Sequence, residues 1–497
     1  MDITASPRRA AWLGALLALL LLPGVLAQVQ RGRSALASTT TAETTGCEEE
    51  SFYAVWRVNH GLSLYPDSSQ PPYAAAYFNW LFYRTYSAFT AGGPDDMIPH
   101  RGRLFTLLGG AVVLALGAWV FVLGPAQAHP GLARLGALAL FSCGIFGWWL
   151  FTLRPDVWAL AGEIGAVLWF LTLYPRRRWL ATAGTVALAY VAWSFKQVNV
   201  AALTTVVLVL LARRDRAAAL VAVLAFTAAI LVTLAIGGPE YRAGITAAAT
   251  GLDLTGGASQ LGAILIRALP QSLLPAYGLG IWLGDHHRPW TNSVPLPVQL
   301  ATIGLIVAGV LAVAANCKIG AAHNNYFTAA FFAVLLGVQG RAVLRNLRAR
   351  NLADRLAVLG CVGACLLGCL QLSGRLGKLS LDSANAELAA RRRVWESLPA
   401  PRFSSDLRLM LPWLNPGQDV LFPAFNYDSD RARHRPFAHD GIGGMIRHGS
   451  FAALLLPTTT GDKFDGAQLT ERYRAGSMVE GMTTYTLRPP NPPPRSP

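Results

Sequence analysis

Charge is what this chain has least of. Of its 497 residues only 14% are charged and 53% are hydrophobic, and its mean hydropathy is +0.38. A soluble globular protein carries about a quarter of its residues charged, so an ordinary soluble domain is excluded and a polytopic membrane protein with a modest soluble part is implied. Lysine is almost missing, four against 38 arginines, and Lys196 and Lys318 are the only two in the membrane half. Acids are fewer than bases, 27 against 42, for a net charge of +15. The cations gather at the ends of apolar runs, where they orient helices and meet anionic lipid, which argues against a nucleic-acid partner. Cysteine is scarce at six residues. Cys361, Cys365 and Cys369 share one helix face inside an apolar run with no histidine nearby, so they read as small packing residues rather than zinc ligands. Cys47, Cys143 and Cys317 have no evident disulfide partners, and no internal repeat is visible.

Long apolar runs are what the chain has in quantity. A membrane span needs about 20 apolar residues, and eleven candidates follow: 10–27, 104–124, 132–153, 157–173, 179–195, 198–212, 217–236, 268–284, 296–315, 325–340 and 356–372. The first follows Arg8-Arg9 and reads as an uncleaved signal-anchor rather than a cleaved signal peptide, because many apolar helices come after it. Arginine clusters mark the cytoplasmic ends: Arg8-Arg9, Arg176 to Arg178, the trio Arg213, Arg214 and Arg216, and the set Arg341, Arg345, Arg348, Arg350 and Arg355. Four, two and four spans separate these clusters, so every arginine group falls on one side. The other ends then share the exterior face, and they carry the unusual polar residues.

The longest exterior connection, residues 28–103, sets acids, cations and aromatics at a membrane surface. It opens with Glu48-Glu49-Glu50 and continues through Tyr53, Trp56, Arg57, Tyr65, Asp67, Tyr73, Tyr77, Trp80, Tyr83 and Arg84. Phe52, Val55, Trp56 and Leu62 suit a short helix lying along the interface, and Tyr73, Tyr77, Trp80, Leu81 and Arg84 suit a second. A carboxylate at the head of the first helix can act as a general base, its pKa tuned by partial burial. The plainer reading of three adjacent acids is a solvated patch, and the second amphipathic stretch favours a site because it supplies walls and a cation.

Three further exterior features are short. Arg154-Pro155-Asp156 sits between two apolar runs, where the proline biases Arg154 away from helix. The two charges either pair with each other or serve neighbouring loops. Lys196-Gln197 breaks an otherwise apolar stretch; the ammonium either snorkels or, with the amide, binds a phosphate diester. Lys318, His323, Asn324, Asn325 and Tyr326 form another group of donors. Several cationic or amide clusters facing one acidic cluster is the pattern expected for an anionic lipid donor and a base-activated acceptor.

The order of these features resembles the GT-C class of integral-membrane glycosyltransferases, and within it the bacterial mannosyl- and aminoarabinose-transferase relatives. The matching pieces are Glu49-Glu50-Ser-Phe-Tyr53, Gly61-Leu-Ser-Leu-Tyr65-Pro-Asp67, Pro71-Pro72-Tyr73, Arg154-Pro155-Asp156, Phe195-Lys196-Gln197 and His323-Asn324-Asn325-Tyr326-Phe327, within roughly residues 45–340. The resemblance implies a polyprenyl-phosphate sugar as donor and a bacterial cytoplasmic-membrane enzyme with its active site outside. It implies Glu49 as the catalytic base with Glu50 beside it, and Asp67 as the second loop acid. The family's acidic pair is usually Asp-Glu, so Glu-Glu is a departure, and Glu48 leaves the register open by one. Lys196, Arg154 and Lys318 are the expected phosphate contacts, Arg57, Arg84 and His323 lesser ones, and Tyr53, Trp56, Tyr73 and Trp80 the groove walls. Asp156, Gln197 and Asn325 complete the binding set. No cluster shows convincing metal-ligand spacing, so a divalent metal has no support from the residues.

Three other functions compete. A polysaccharide polymerase or ligase would share the chemistry with another loop order. A transporter or flippase should place paired ionisable residues at the bilayer midplane, often in repeated halves, whereas here the polar residues lie at helix ends. A non-catalytic scaffold is the third. Residues 1–372 thus form the membrane domain, and 373–487 an exterior α+β domain whose acceptor role is open. Within it a helix is expected over 384–395, capped by Asp382 or Ser383, with strands at 419–423 and 483–487. The proline-rich residues 488–497 read as a disordered tail.

Overall fold

The computed structural model describes residues 7–38, 43–122, 140, 145–247, 251, 253–262, 294–318, 321–346, 380–423, 425, 427–458 and 466–489. The expected spans at 268–284 and 356–372, most of 132–153, the cysteine face at 361–369, Cys143, and Arg348 to Arg355 lie outside them, as does all but the start of the proline-rich tail. The helices that position the site are α1 (Pro7–Ala37), α2 (Glu48–Asn59), α3 (Trp80–Thr90), α4 (Ile98–Val122), α5 (Asp156–Leu173) and α6 (Arg178–Phe195). They are followed by α7 (Ala201–Ala212), α8 (Arg216–Ala247), α9 (Leu296–Asn316) and α10 (Phe327–Asn346). Among the described residues four stretches are long and apolar enough to cross a membrane: Asp95–Trp119, Asp156–Leu173, Arg216–Thr246 and Leu296–Asn316. The chain is a polytopic helical membrane protein.

The helix pair α5 and α6 anchors the bundle because small residues let the backbones approach. A methyl group added at Gly162 would stand 2.9 Å from the Cβ of Ala192. At one end of the bundle Arg178 pairs with Asp215 at 3.8 Å and Arg213 donates to Gln299 at 2.9 Å. At the other end the polar loops meet: Tyr241 donates to Asn79 at 2.7 Å, and Gln260 to the Ala321 carbonyl at 2.9 Å. The segregation of arginine ends from polar ends that the sequence implies is therefore a property of the bundle.

Two local expectations change. α2 ends at Asn59, and Gly61 follows in the left-handed region at φ 70°, so Leu62 falls beyond the helix and is exposed. The second amphipathic helix starts only at Trp80. Tyr73 sits at φ 63° in a turn closed by its own N–H to the Gln70 carbonyl at 2.7 Å, which helix would not allow.

The C-terminal part is α+β. Helix α11 (Asp382–Ser397) packs on a four-stranded sheet of order β1-β2-β4-β3, with β1 (Arg402–Ser404) parallel to β2 (Ala453–Pro457). β4 (Met482–Leu487) runs antiparallel to both β2 and β3 (Tyr473–Val479). The expected helix is present, but neither Asp382 nor Ser383 caps it. Leu381 holds that position, with its N–H donated to Ser34 Oγ of α1 at 2.8 Å. The strand at 483–487 is present; residues 419–423 form none, because the Phe422 N–H goes to the Pro72 carbonyl at 2.7 Å instead of a ladder. Leu454, Leu455, Leu456, Trp395 and Phe403 share one buried cluster with Phe52, Tyr73, Phe82 and Tyr86 of the long loop. That common core seats the C-terminal part on the loop carrying the acids.

Candidate functional site

The three adjacent glutamates have three different environments. They occupy the first turn of α2, where unsatisfied N–H groups favour negative charge. Glu48 is fully buried. Arg103 reaches it through Nε at 3.1 Å and Nη2 at 2.7 Å, Leu153 N–H at 2.8 Å, and Thr44 through N–H at 3.1 Å and Oγ1 at 2.9 Å. A carboxylate with both oxygens committed in this way is a structural anchor.

Glu50 accepts the Phe425 N–H at 2.5 Å from the C-terminal part. Burial pushes its pKa up to about 7; the Phe425 bond and Arg154 pull it down, and Glu43 raises it further. Glu49 has a buried Oε2 with no hydrogen-bond partner among the described residues. Burial, then Glu43 and Glu50, hold its carboxyl well above the ordinary range, against its own helix N–H and Arg408. Arg408 comes from the C-terminal part, gripped by Asp406 through two 2.8 Å bonds. Three nearby carboxylates (Glu43, Glu49 and Glu50) thus face two cations, Arg154 and Arg408, and both members of the Glu49–Glu50 pair hold a proton more tightly than a free carboxyl.

The junction Arg154-Pro155-Asp156 answers the question of pairing. The two charges do not pair with each other; each faces a different cluster. The Arg154 guanidinium stands 4.8 Å from the ring of Phe78 and 5.4 Å from Trp149, on the acid side, and its Nε is buried without a hydrogen-bond partner among the described residues. Trp149 donates its indole N–H to His323 Nε2 at 3.1 Å. Indole only donates, so that histidine nitrogen is the acceptor and the imidazole proton sits on Nδ1.

Asp156 opens α5 and turns to the other cluster. Its Oδ1 takes Lys196 Nζ at 2.6 Å and Asn324 Nδ2 at 2.8 Å, while Oδ2 is buried with no hydrogen-bond partner among the described residues. Lys196 also reaches Asn325 Oδ1 at 3.1 Å, and Asn325 donates onward to Asn316 at 2.9 Å. Gln197 donates to the carbonyls of Tyr77 at 2.7 Å and Ile245 at 3.1 Å, and its Oε1 is buried with no hydrogen-bond partner among the described residues. Lys318 is close enough to Lys196 that burial and that neighbouring charge lower its pKa. Two ammonium groups so placed favour an anion between them.

Other expected site residues lie elsewhere. Asp67 is exposed and closes a turn with Ser69, at 2.9 Å to its N–H and 2.8 Å to its hydroxyl. Arg57 donates to the Ser63 carbonyl at 2.9 Å and Arg84 is exposed, so the structure brings neither into the two clusters. Tyr53 is stacked on Phe422 at 4.3 Å, and Tyr73 is fully buried with its hydroxyl on the Ala438 carbonyl at 2.7 Å. These two tyrosines form the seam between loop and C-terminal part rather than a groove wall. Sequence reasoning missed Arg103, Trp149, Arg408, Phe425 and Glu163. Only Glu163 carried a readable signal, as the sole charge in the run Val157 to Leu173. Among the described residues no group of three or more His, Cys, Asp and Glu has metal-ligand geometry.

The fold is shared with solved structures of ArnT and of the oligosaccharyltransferase AglB. The chain is similar over 96% of its length to ArnT from Cupriavidus metallidurans bound to undecaprenyl phosphate, covering 98% of that protein at a TM-score of 0.55 and 13% identity. The apo form of the same protein aligns over the same shares at a TM-score of 0.52 and 13% identity. The archaeal oligosaccharyltransferase AglB from Archaeoglobus fulgidus, in complex with an inhibitory peptide and a dolichol-phosphate, aligns with 99% of this chain and 76% of its own, at a TM-score of 0.51 and 12% identity. No family model and no curated protein matches the sequence.

Proposed function

We propose that this protein transfers a sugar from a polyprenyl-phosphate donor to an acceptor at the exterior face of a bacterial cytoplasmic membrane. One observation carries the reading: the Glu49–Glu50 pair and the cluster around Lys196 are joined through the three-residue junction Arg154-Pro155-Asp156, at the end of the bundle opposite Arg178 and Arg213. The similarity to proteins solved with undecaprenyl phosphate and with a dolichol-phosphate supports a lipid phosphate as the leaving group.

The reaction is a single displacement with inversion. An acceptor oxygen or nitrogen attacks the anomeric carbon as the bond from that carbon to the phosphate oxygen breaks. The electron pair leaves with the lipid phosphate, whose new charge falls among Lys196, Lys318 and Arg154; preorganised donors of this kind are the main catalytic resource. Glu49 takes the acceptor's proton on its unpartnered Oε2, and Glu50, tied to Phe425, fixes the pair's charge. The test is transfer from radiolabelled polyprenyl-phosphate sugars in membranes, comparing the native protein with Glu49→Gln, Glu50→Gln and Lys196→Ala. Full transfer by all three, each normally folded, overturns the assignment.

A further inference from the structure

Helix α5 carries two buried carboxylates on one face, Asp156 and Glu163, seven residues or about two turns apart. Both bridge the same two neighbours. Asp156 holds Lys196 of the turn between α6 and α7, and Asn324 just before α10. Glu163 holds that same turn from below, through Asn199 Nδ2 at 3.1 Å and the Ala202 N–H at 3.1 Å, and it accepts the Thr328 hydroxyl from the first turn of α10. The turn at 196–200 therefore hangs between two carboxylate rungs, with Lys196 at the upper one. An ionisable residue inside a membrane helix is retained at a cost and marks function by default, and the displacement chemistry above makes no use of this one.

Resting on the proposed lipid-phosphate site, we propose that Glu163 is a positioning residue that fixes Lys196, Asn324 and Asn325 as a preformed cradle for the phosphate of a polyprenyl lipid. The rung places Lys196 Nζ within reach of both Asp156 and Asn325, so the ammonium does not have to be ordered when the anion arrives. Loss of the rung frees the turn at one side and α10 at the other, and lipid-phosphate affinity falls while the reacting groups stay chemically intact.

The probe is undecaprenyl phosphate, titrated by calorimetry against the full-length protein in detergent. Glu163→Ala is expected to weaken binding about tenfold, the size of one lost charge-assisted bond. Asn199→Ala and Thr328→Val each cut one side of the rung and keep the carboxylate, and each is expected to weaken binding several-fold. Combined with Glu163→Ala, neither should add its full effect. Glu163→Gln, which keeps the shape and one acceptor oxygen, is expected to fall between native and Glu163→Ala. Thermal unfolding is followed in parallel. Lower stability with unchanged affinity in Asn199→Ala and Thr328→Val means Glu163 is only structural, and overturns the inference while leaving the phosphate site standing. Native protein that does not bind the lipid overturns the phosphate site itself, and the inference with it.

Discussion

Glu48→Gln should unfold the protein more easily without acting on chemistry, and this separates the three glutamates. The Glu48 carboxylate accepts five hydrogen bonds, two of them from Arg103, and both side chains are fully buried. Neutralising it leaves the Arg103 guanidinium buried without a counter-charge, and breaking one partner of a buried pair costs about 3–5 kcal/mol. The amide keeps one acceptor oxygen, so the lower end of that range is expected. Denaturation in detergent should show the loss directly. The double variant Glu48→Leu with Arg103→Met replaces the pair with apolar groups and should recover much of it, because the desolvation penalty of both charges disappears. Transfer by the folded fraction of Glu48→Gln should remain near native, whereas Glu49→Gln should lose transfer with little change in stability. A Glu48→Gln protein as stable as native but inactive would refute the register and make Glu48 the base.

Four further outcomes follow from the structure. The rate of transfer should rise with pH, because Glu49 is held well above the ordinary carboxylate range and must ionise to accept a proton; a rate independent of pH from 5 to 9 contradicts it. Glu50 beside it is held up to about 7. The same shift acts on stability with a definite sign: a carboxyl raised from its usual 4.5 to about 7 binds protons more tightly when folded, so its contribution is complete below the lower value and is lost as pH rises through the upper one. Glu50→Gln, which cannot ionise, should therefore gain stability relative to native on going from pH 5 to pH 8, by at most about 3 kcal/mol, measured by denaturation at both values. Lys196→Met leaves Asp156 with Asn324 as its remaining contact and removes a phosphate donor, so the KM for the lipid donor should rise roughly 10- to 100-fold; steady-state kinetics with unchanged KM would exclude Lys196 from the phosphate site. Trp395→Ala, at a side chain with no exposed surface in the core shared with the loop, should cost about 3–5 kcal/mol, and limited proteolysis should then cut the C-terminal part first.

How much was legible depends on whether the signal was local. The bundle's membrane class, most of its helix positions and the segregation of arginine ends from polar ends came from runs of apolar residues and the charges bounding them. Those are properties of consecutive residues, and the bilayer reads them the same way. Helix α5 was placed to within a residue for that reason, and so was the strand at 483–487, where alternation and turn residues agree. Tyr73 was misplaced because an aromatic periodicity says nothing of the φ 63° turn that interrupts it.

The site was legible as a set of residues but not as a set of partnerships. Sequence named Glu48, Glu49 and Glu50 together, since three identical side chains in a row carry no information about what each will face. Their division into an anchor, an open acceptor and a group tied to Phe425 is made by Arg103, Leu153 and the C-terminal part, which lie 55, 105 and 375 residues away. In the same way Arg154 and Asp156 are two residues apart in sequence and point to different clusters. The sequence by itself determined that acids, amides and cations would be delivered to one end of a helical bundle, because hydropathy and charge act span by span. Only the tertiary structure decided which carboxylates are neutralised and which stay open to a proton, because that depends on desolvation and on charges brought together from distant parts of the chain.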